Sequence, residues 1–166
     1  CISAIEEIET HLEYRDCIDK YNLENIVNGN ITRTTPAKIS EKMNDEINII
    51  DLIQKGTVLF EVEGSSPKEV YKNVVDKIEY PKGLTPENLY TELCQREDLM
   101  STAVGNGIAL PHSRYPILKN SDDQRIIVCY LKETLQMNAP DGRLVGAMFI
   151  LLTSSPQFHL KVLSQL

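Results

Sequence analysis

The last two-thirds of the chain predicts an α/β fold, and three observations lead there. Val58–Glu63, Arg125–Leu131 and Val145–Leu152 are apolar or β-branched runs of strand length. Between the first two lie segments with helix-start signals and apolar residues at helical spacing, and strands interleaved with helices build a layered α/β domain. The composition suits such a domain: 166 residues, 42% hydrophobic and 25% charged, enough for one well-buried core with a small appendage.

Taken in order, Ser3 to Tyr21 carries Ile5, Ile8, Leu12 and Ile18 at roughly helical intervals and predicts a charged helix with a weak apolar stripe. Asn22 to Pro36 is rich in Asn, Gly and Thr and reads as a loop or linker, with a second short helix over Pro36–Met43. Residues 1–45 are therefore expected to form a helical or linker extension, and residues 46–166 the main domain. The character changes near Ile49. Val58–Glu63 predicts a strand, with Leu59, Phe60 and Val62 as its apolar contacts. Ser66, Pro67 and Glu69 then supply a cap, a first-turn proline and a glutamate three residues on, opening a helix expected to reach Ile78. Tyr80–Pro86 breaks it. Thr85 to Arg96 predicts the next helix, buried through Leu89 and Leu93. Arg125–Leu131 is a strand, Pro140-Asp141-Gly142 a turn, and Val145–Leu152 a strand apolar enough to be covered on both faces. Gln157 to Leu166 opens a helix without a polar end or cap, so the C-terminus is expected to be truncated.

Charge and cysteine usage exclude several classes. A formal net charge of −7 and a pI near 5.0 lack the basic footprint of direct nucleic-acid binding. The four cysteines, Cys1, Cys17, Cys94 and Cys129, form no CxxC pair, which argues for free thiols rather than a disulfide framework or structural zinc. No apolar run has membrane-spanning length and no signal-peptide pattern opens the chain, so a cytoplasmic location without membrane insertion is expected.

The chemistry concentrates in Ser101-Thr-Ala-Val-Gly-Asn-Gly-Ile-Ala-Leu-Pro-His112-Ser-Arg114. It holds one of only three histidines, after two glycines and a rigidifying proline. Imidazole can exchange a proton or attack phosphorus near neutral pH. From the residues alone His112 is either a functional imidazole or a turn histidine bonded to local backbone. Gly105-Asn106-Gly107 lacks the lysine and hydroxyl residue of a phosphate-binding P-loop. Ser101 and Thr102 could donate to an anion or cap a turn. Arg96 and Arg114 offer cationic partners for a phosphoryl group, against an ordinary role in surface ion pairs. His159, at a helix-like start after an apolar strand, is either a second active group or a packing residue.

The run from Arg96 through Glu97-Asp-Leu-Met-Ser-Thr-Ala-Val-Gly-Asn-Gly-Ile-Ala-Leu-Pro to His112 resembles the active-site segment of fructose/mannitol-type enzyme IIA domains of the bacterial phosphotransferase system, nitrogen-regulatory relatives included. Ile49-Ile-Asp-Leu-Ile, Val58–Val62, Leu144–Leu152 and Gln157-Phe-His159-Leu160 are also similar to segments of that family. The resemblance implies a mixed β-sheet flanked by helices, with His112 phosphorylated, His159 its active-site neighbour and Arg96 supporting transfer. Ser101, Thr102, Gly105, Asn106, Gly107 and Arg114 would line the phosphate environment. It further implies a phosphoryl group taken from the histidine phosphocarrier protein, then passed to an enzyme IIB partner or used for regulation, with no metal, nucleotide or other cofactor. The alternative from another class is a noncatalytic regulatory protein-binding module of a larger transcriptional regulator.

Overall fold

The computed structural model describes residues 47–166, and the expected elements before them, together with the division at residue 45, lie outside the described residues. Helix α1, Ile49–Lys55, opens on Asn48, whose side chain accepts from the Ile50 and Asp51 amides. It closes at Gly56, where a Cβ would fall 1.9 Å from the Ile126 carbonyl oxygen, so only glycine allows the chain this close to the sheet. Strand β1, Val58–Val62, follows.

Helix α2, Pro67–Val75, starts as the sequence predicts, with the Ser66 hydroxyl accepting from the Glu69 amide and the Glu69 carboxylate accepting from Ser65. It ends one turn earlier than expected, at Val75 rather than Ile78. Helix α3, Pro86–Leu99, is capped by Thr85 and runs three residues past Arg96. Two short strands, β2 (Ala103–Gly105) and β3 (Ile108–Ala109), form a tight hairpin where no strand was predicted. After a 3₁₀ turn at Ser121–Asp123 come β4, Arg125–Leu135, and β5, Val145–Leu152. The former outruns its predicted end because, past an irregularity after Tyr130, it pairs with β5 again at Leu135, and the exposed Lys132, Glu133 and Thr134 between them carry no apolar signal. Helix α4, Pro156–Leu163, is capped by Ser155.

The strands form one mixed sheet in the order β1-β4-β5-β3-β2. The β1–β4 and β5–β3 pairs are parallel, and β4–β5 and β3–β2 are antiparallel. This is the helix-flanked mixed sheet that was expected. One sheet face sends Ile127, Cys129, Met148, Ile150 and Leu152 into a core shared with Val70, Tyr71, Val74, Leu89 and Leu93 of α2 and α3. Each such side chain contributes about 1.5–3 kcal/mol by leaving water. The alternate residues Ile126, Val128 and Leu151 are buried outside that cluster, as is Leu52 of α1, which packs on β4. Phe149 and Ala147 on this second set are only half-buried, so β5 is fully covered on one face and partly on the other.

Candidate phosphoryl-transfer site

His112 sits where the parallel β3–β5 pair ends. Past Ala109 the chain stays extended beside β5: the Leu151 amide donates to the Pro111 carbonyl at 2.9 Å, and His112 bridges Leu151 in parallel register. Outside the carboxyl ends of parallel strands is where open α/β sheets bind ligands. The ring is pinned from behind, with Nδ1 2.7 Å from the Leu110 carbonyl oxygen. A carbonyl can only accept, so Nδ1 carries the proton and Nε2 keeps its lone pair. Arg96 donates to that nitrogen through Nε at 3.2 Å.

Arg96 lies in the last turn of α3, where a cation complements the helix C-terminus. Its Nη1 donates to the Met100 carbonyl at 2.8 Å. The residue is only 8% exposed, yet it is in none of the carboxylate ion pairs among the described residues. Burying a guanidinium costs several kcal/mol unless a partner compensates it. The adjacent Glu97 accepts instead from the Tyr71 hydroxyl (2.9 Å), the Thr102 amide (3.2 Å) and the Thr102 hydroxyl (2.7 Å). Burial and the Glu97 charge push the Tyr71 hydroxyl well above its ordinary range, so it stays a donor.

His159 completes the cluster from the first turns of α4, its amide bonded to the Ser155 carbonyl. Its ring centroid lies 4.7 Å from that of His112, tilted by 56°. Nδ1 lies 3.3 Å from the Thr153 hydroxyl. Burial, reinforced by His112 and Arg96, lowers its pKa to about 4, so His159 is neutral at physiological pH.

The other residues expected to line a phosphate are placed differently. The Ser101 hydroxyl donates to the Met137 carbonyl and accepts from the Ala103 amide, and the Thr102 hydroxyl is spent on Glu97. Both are engaged in holding the loop after α3. Gly105, Asn106 and Gly107 form the β2–β3 turn, at positive φ of 103°, 52° and 78°. The Asn106 amide donates to Asp141 at 2.7 Å, and the Gly107 carbonyl accepts from Gly146 and Ala147. Five strand residues separate that register from His112–Leu151, about 16 Å at ~3.3 Å per residue. Their amides therefore cannot reach a group on His112. Arg114 is exposed, its guanidinium 5.4 Å from the Tyr115 ring centroid.

Glu97 and Thr153 were not singled out from the sequence. Glu97 is a lone acidic residue on a charged helix, and nothing in its spacing separates it from a solvated one. Thr153 carried a usable signal, as the residue ending an apolar strand just ahead of the Ser155-Pro156 helix start. Among the described residues no group of three His, Cys, Asp or Glu side chains could hold a metal ion, and no helix is long and apolar enough to cross a membrane.

Residues 51–166 match the family model described as the phosphoenolpyruvate-dependent sugar phosphotransferase system, EIIA 2. A nitrogen regulatory protein of Pseudomonas aeruginosa is 31% identical over 124 residues, covering 72% of this chain and 78% of its own. One from Bradyrhizobium diazoefficiens is 28% identical over 120 residues, covering 71% and 76%. Among solved structures, nitrogen regulatory protein IIA-Ntr from Neisseria meningitidis is 30% identical with a TM-score of 0.59, covering 70% of this chain and 79% of that one. The chain belongs to the EIIA 2 family of the phosphotransferase system.

Proposed function

We propose that this EIIA-family chain is a phosphohistidine carrier in which Nε2 of His112 takes a phosphoryl group from the phosphorylated histidine phosphocarrier protein. One observation carries the reading: a buried guanidinium that is in no carboxylate ion pair among the described residues donates to the unprotonated nitrogen of an imidazole whose other nitrogen is held by a carbonyl. That nitrogen attacks phosphorus, a new P–N bond forms, and the donor's P–N bond breaks to leave its imidazole with the electron pair. His112 keeps its Nδ1 proton on Leu110 throughout. Arg96 Nε must leave Nε2 as phosphorus arrives, and the nearest new acceptors are the transferring oxygens. A cation already desolvated and aimed at that point costs little reorganisation, which is the condition for electrostatic stabilisation of the transition state. Neutral His159 supplies a hydrogen-bond donor without adding a second full charge.

The phosphoryl group then passes to an enzyme IIB partner or sets the chain's affinity for a regulatory target. The names of the relatives favour the regulatory outlet, since those compared are nitrogen regulatory proteins. In this reading residues 46–166 are the carrier unit, working in the cytoplasm. Incubation with phosphoenolpyruvate, enzyme I and the histidine phosphocarrier protein, followed by intact-mass and peptide mapping, tests it. Acid-labile phosphate on His112 that vanishes in His112→Ala is expected. A folded wild-type chain that takes no phosphate overturns the reading and leaves a noncatalytic binding module.

A further inference from the structure

We infer that Thr153 is a positioning residue of this site: its hydroxyl donates to Nδ1 of His159 and thereby holds that imidazole as the Nε2–H tautomer. The assignment comes from accounting for one hydrogen. Thr153 is 4% exposed, and its hydroxyl makes one hydrogen bond, to Nδ1 at 3.3 Å. Were Nδ1–H the donor, the hydroxyl's own hydrogen would be buried without an acceptor, at a cost of about 1–3 kcal/mol. With the hydroxyl as donor both atoms of the buried pair are satisfied, and the imidazole proton moves to Nε2, on the half-buried ring rather than inside the pair.

The neighbourhood fixes where that hydroxyl sits. Thr153 directly follows β5, and its carbonyl accepts from the Ile117 and Leu118 amides at 3.2 and 3.1 Å. The next amide, Ser154, donates to the buried Gln124 side chain at 3.1 Å. His112 is bridged to Leu151, two residues earlier on the same strand end. Both rings are thus referenced to one piece of backbone, which sets their 4.7 Å separation. The outcome is a pair of opposite tautomers. Nδ1 of His112 is protonated against a carbonyl, which makes Nε2 the nitrogen that carries the attacking lone pair. Nδ1 of His159 is deprotonated against a hydroxyl, which arms Nε2–H to donate. Partners of this kind fix which nitrogen of a functional histidine does the chemistry.

The tautomer stands by itself, whereas its effect on rate rests on the phosphocarrier reading. The test is long-range ¹H–¹⁵N correlation of the histidine side chains at neutral pH in the full chain, alongside the rate of phosphorylation. Wild type should show His159 as Nε2–H. Thr153→Val should give a mixture of tautomers and a rate about tenfold lower at an unchanged thermal midpoint, and Thr153→Ser should restore both. His159 found as Nδ1–H in wild type overturns the inference whether or not the valine variant folds. So does a folded Thr153→Val chain with tautomer and rate unchanged. A wild-type chain that shows Nε2–H but takes no phosphate leaves the inference standing and removes the carrier reading.

Discussion

The two ends of the β3–β5 ladder are built from the same parallel pair and behave in opposite ways. At the starting end, Gly105, Asn106 and Gly107 turn tightly and hand their polar groups to Asp141, Gly146 and Ala147. At the finishing end, His112, His159 and Arg96 converge with a buried cation facing a lone pair. The first end is locally satisfied and asks for no ligand. The second holds charge that an anion would complete. Under the proposed function the glycine-rich run is not what marks the phosphate site; the guanidinium of Arg96, buried and in no carboxylate ion pair among the described residues, is.

The sharpest way to break the comparison is Arg96→Gln. If the finishing end trades stability for chemistry, the phosphorylation rate should fall by about 10²–10³, the scale of losing a preorganised donor. Unfolding free energy should stay within about 1 kcal/mol, because losing a desolvated charge offsets the lost hydrogen bonds. Single-turnover phosphorylation and urea titration measure the two sides. A stability loss as large as the rate effect would make Arg96 an ordinary structural residue.

Glu97→Ala probes the support beneath that arginine. It strands the Tyr71 hydroxyl and the Thr102 hydroxyl and amide, which should cost about 2–3 kcal/mol. The expected rate loss is smaller than for Arg96→Gln, since Glu97 does not touch the reacting atoms. Urea unfolding of both variants should rank them in opposite order to their phosphorylation rates. The same order in both assays would mean that the network and the site are one unit.

How much of this was legible follows from the range of each signal. Caps are local, so Ser66-Pro67 marked one helix start correctly, and the spacing of Leu89 and Leu93 marked the helix that follows Thr85. Long apolar runs marked β1, β4 and β5. Strands β2 and β3 are too short for any periodicity, and sheet order depends on pairings between distant segments. His112, His159 and Arg96 were singled out as candidates, and the fold brings all three together. The glycines were drawn into the same site because they lie close in sequence. Five residues in extended conformation carry the chain across the domain, so sequence proximity along a strand is distance in space.

The neutral state of His159 predicts a pH signature confined to the finishing end. Its pKa is about 4 in the folded chain against 6.5 ordinarily. Between those values the unfolded chain binds a proton that the folded chain refuses. The associated stability is thus complete above pH 6.5, declines as pH falls, and is gone near pH 4. The loss is about 3 kcal/mol. Thermal or urea unfolding across that window should show a shallower slope for His159→Gln than for wild type. Parallel slopes would mean that His159 is solvated in the folded chain and free to ionise.

The smallest effect should come from the starting end, and its value lies in what does not change. Gly105 holds φ of 103°, and a Cβ there would meet the Asp141 carboxylate at 3.2 Å. Gly105→Ala therefore strains both the backbone and the hairpin's tie to Asp141, at a cost of about 1–2 kcal/mol. The β5 register beside Gly107 belongs to the same strand that carries Leu151, but the core residues Met148 and Ile150 lie between them and hold that strand independently of the turn. Strain at the tip should therefore be absorbed locally, and the phosphorylation rate should match wild type. A Gly105→Ala chain that folds but phosphorylates tenfold more slowly would show that the ladder couples its two ends. The glycines would then reach the site mechanically, although their amides cannot.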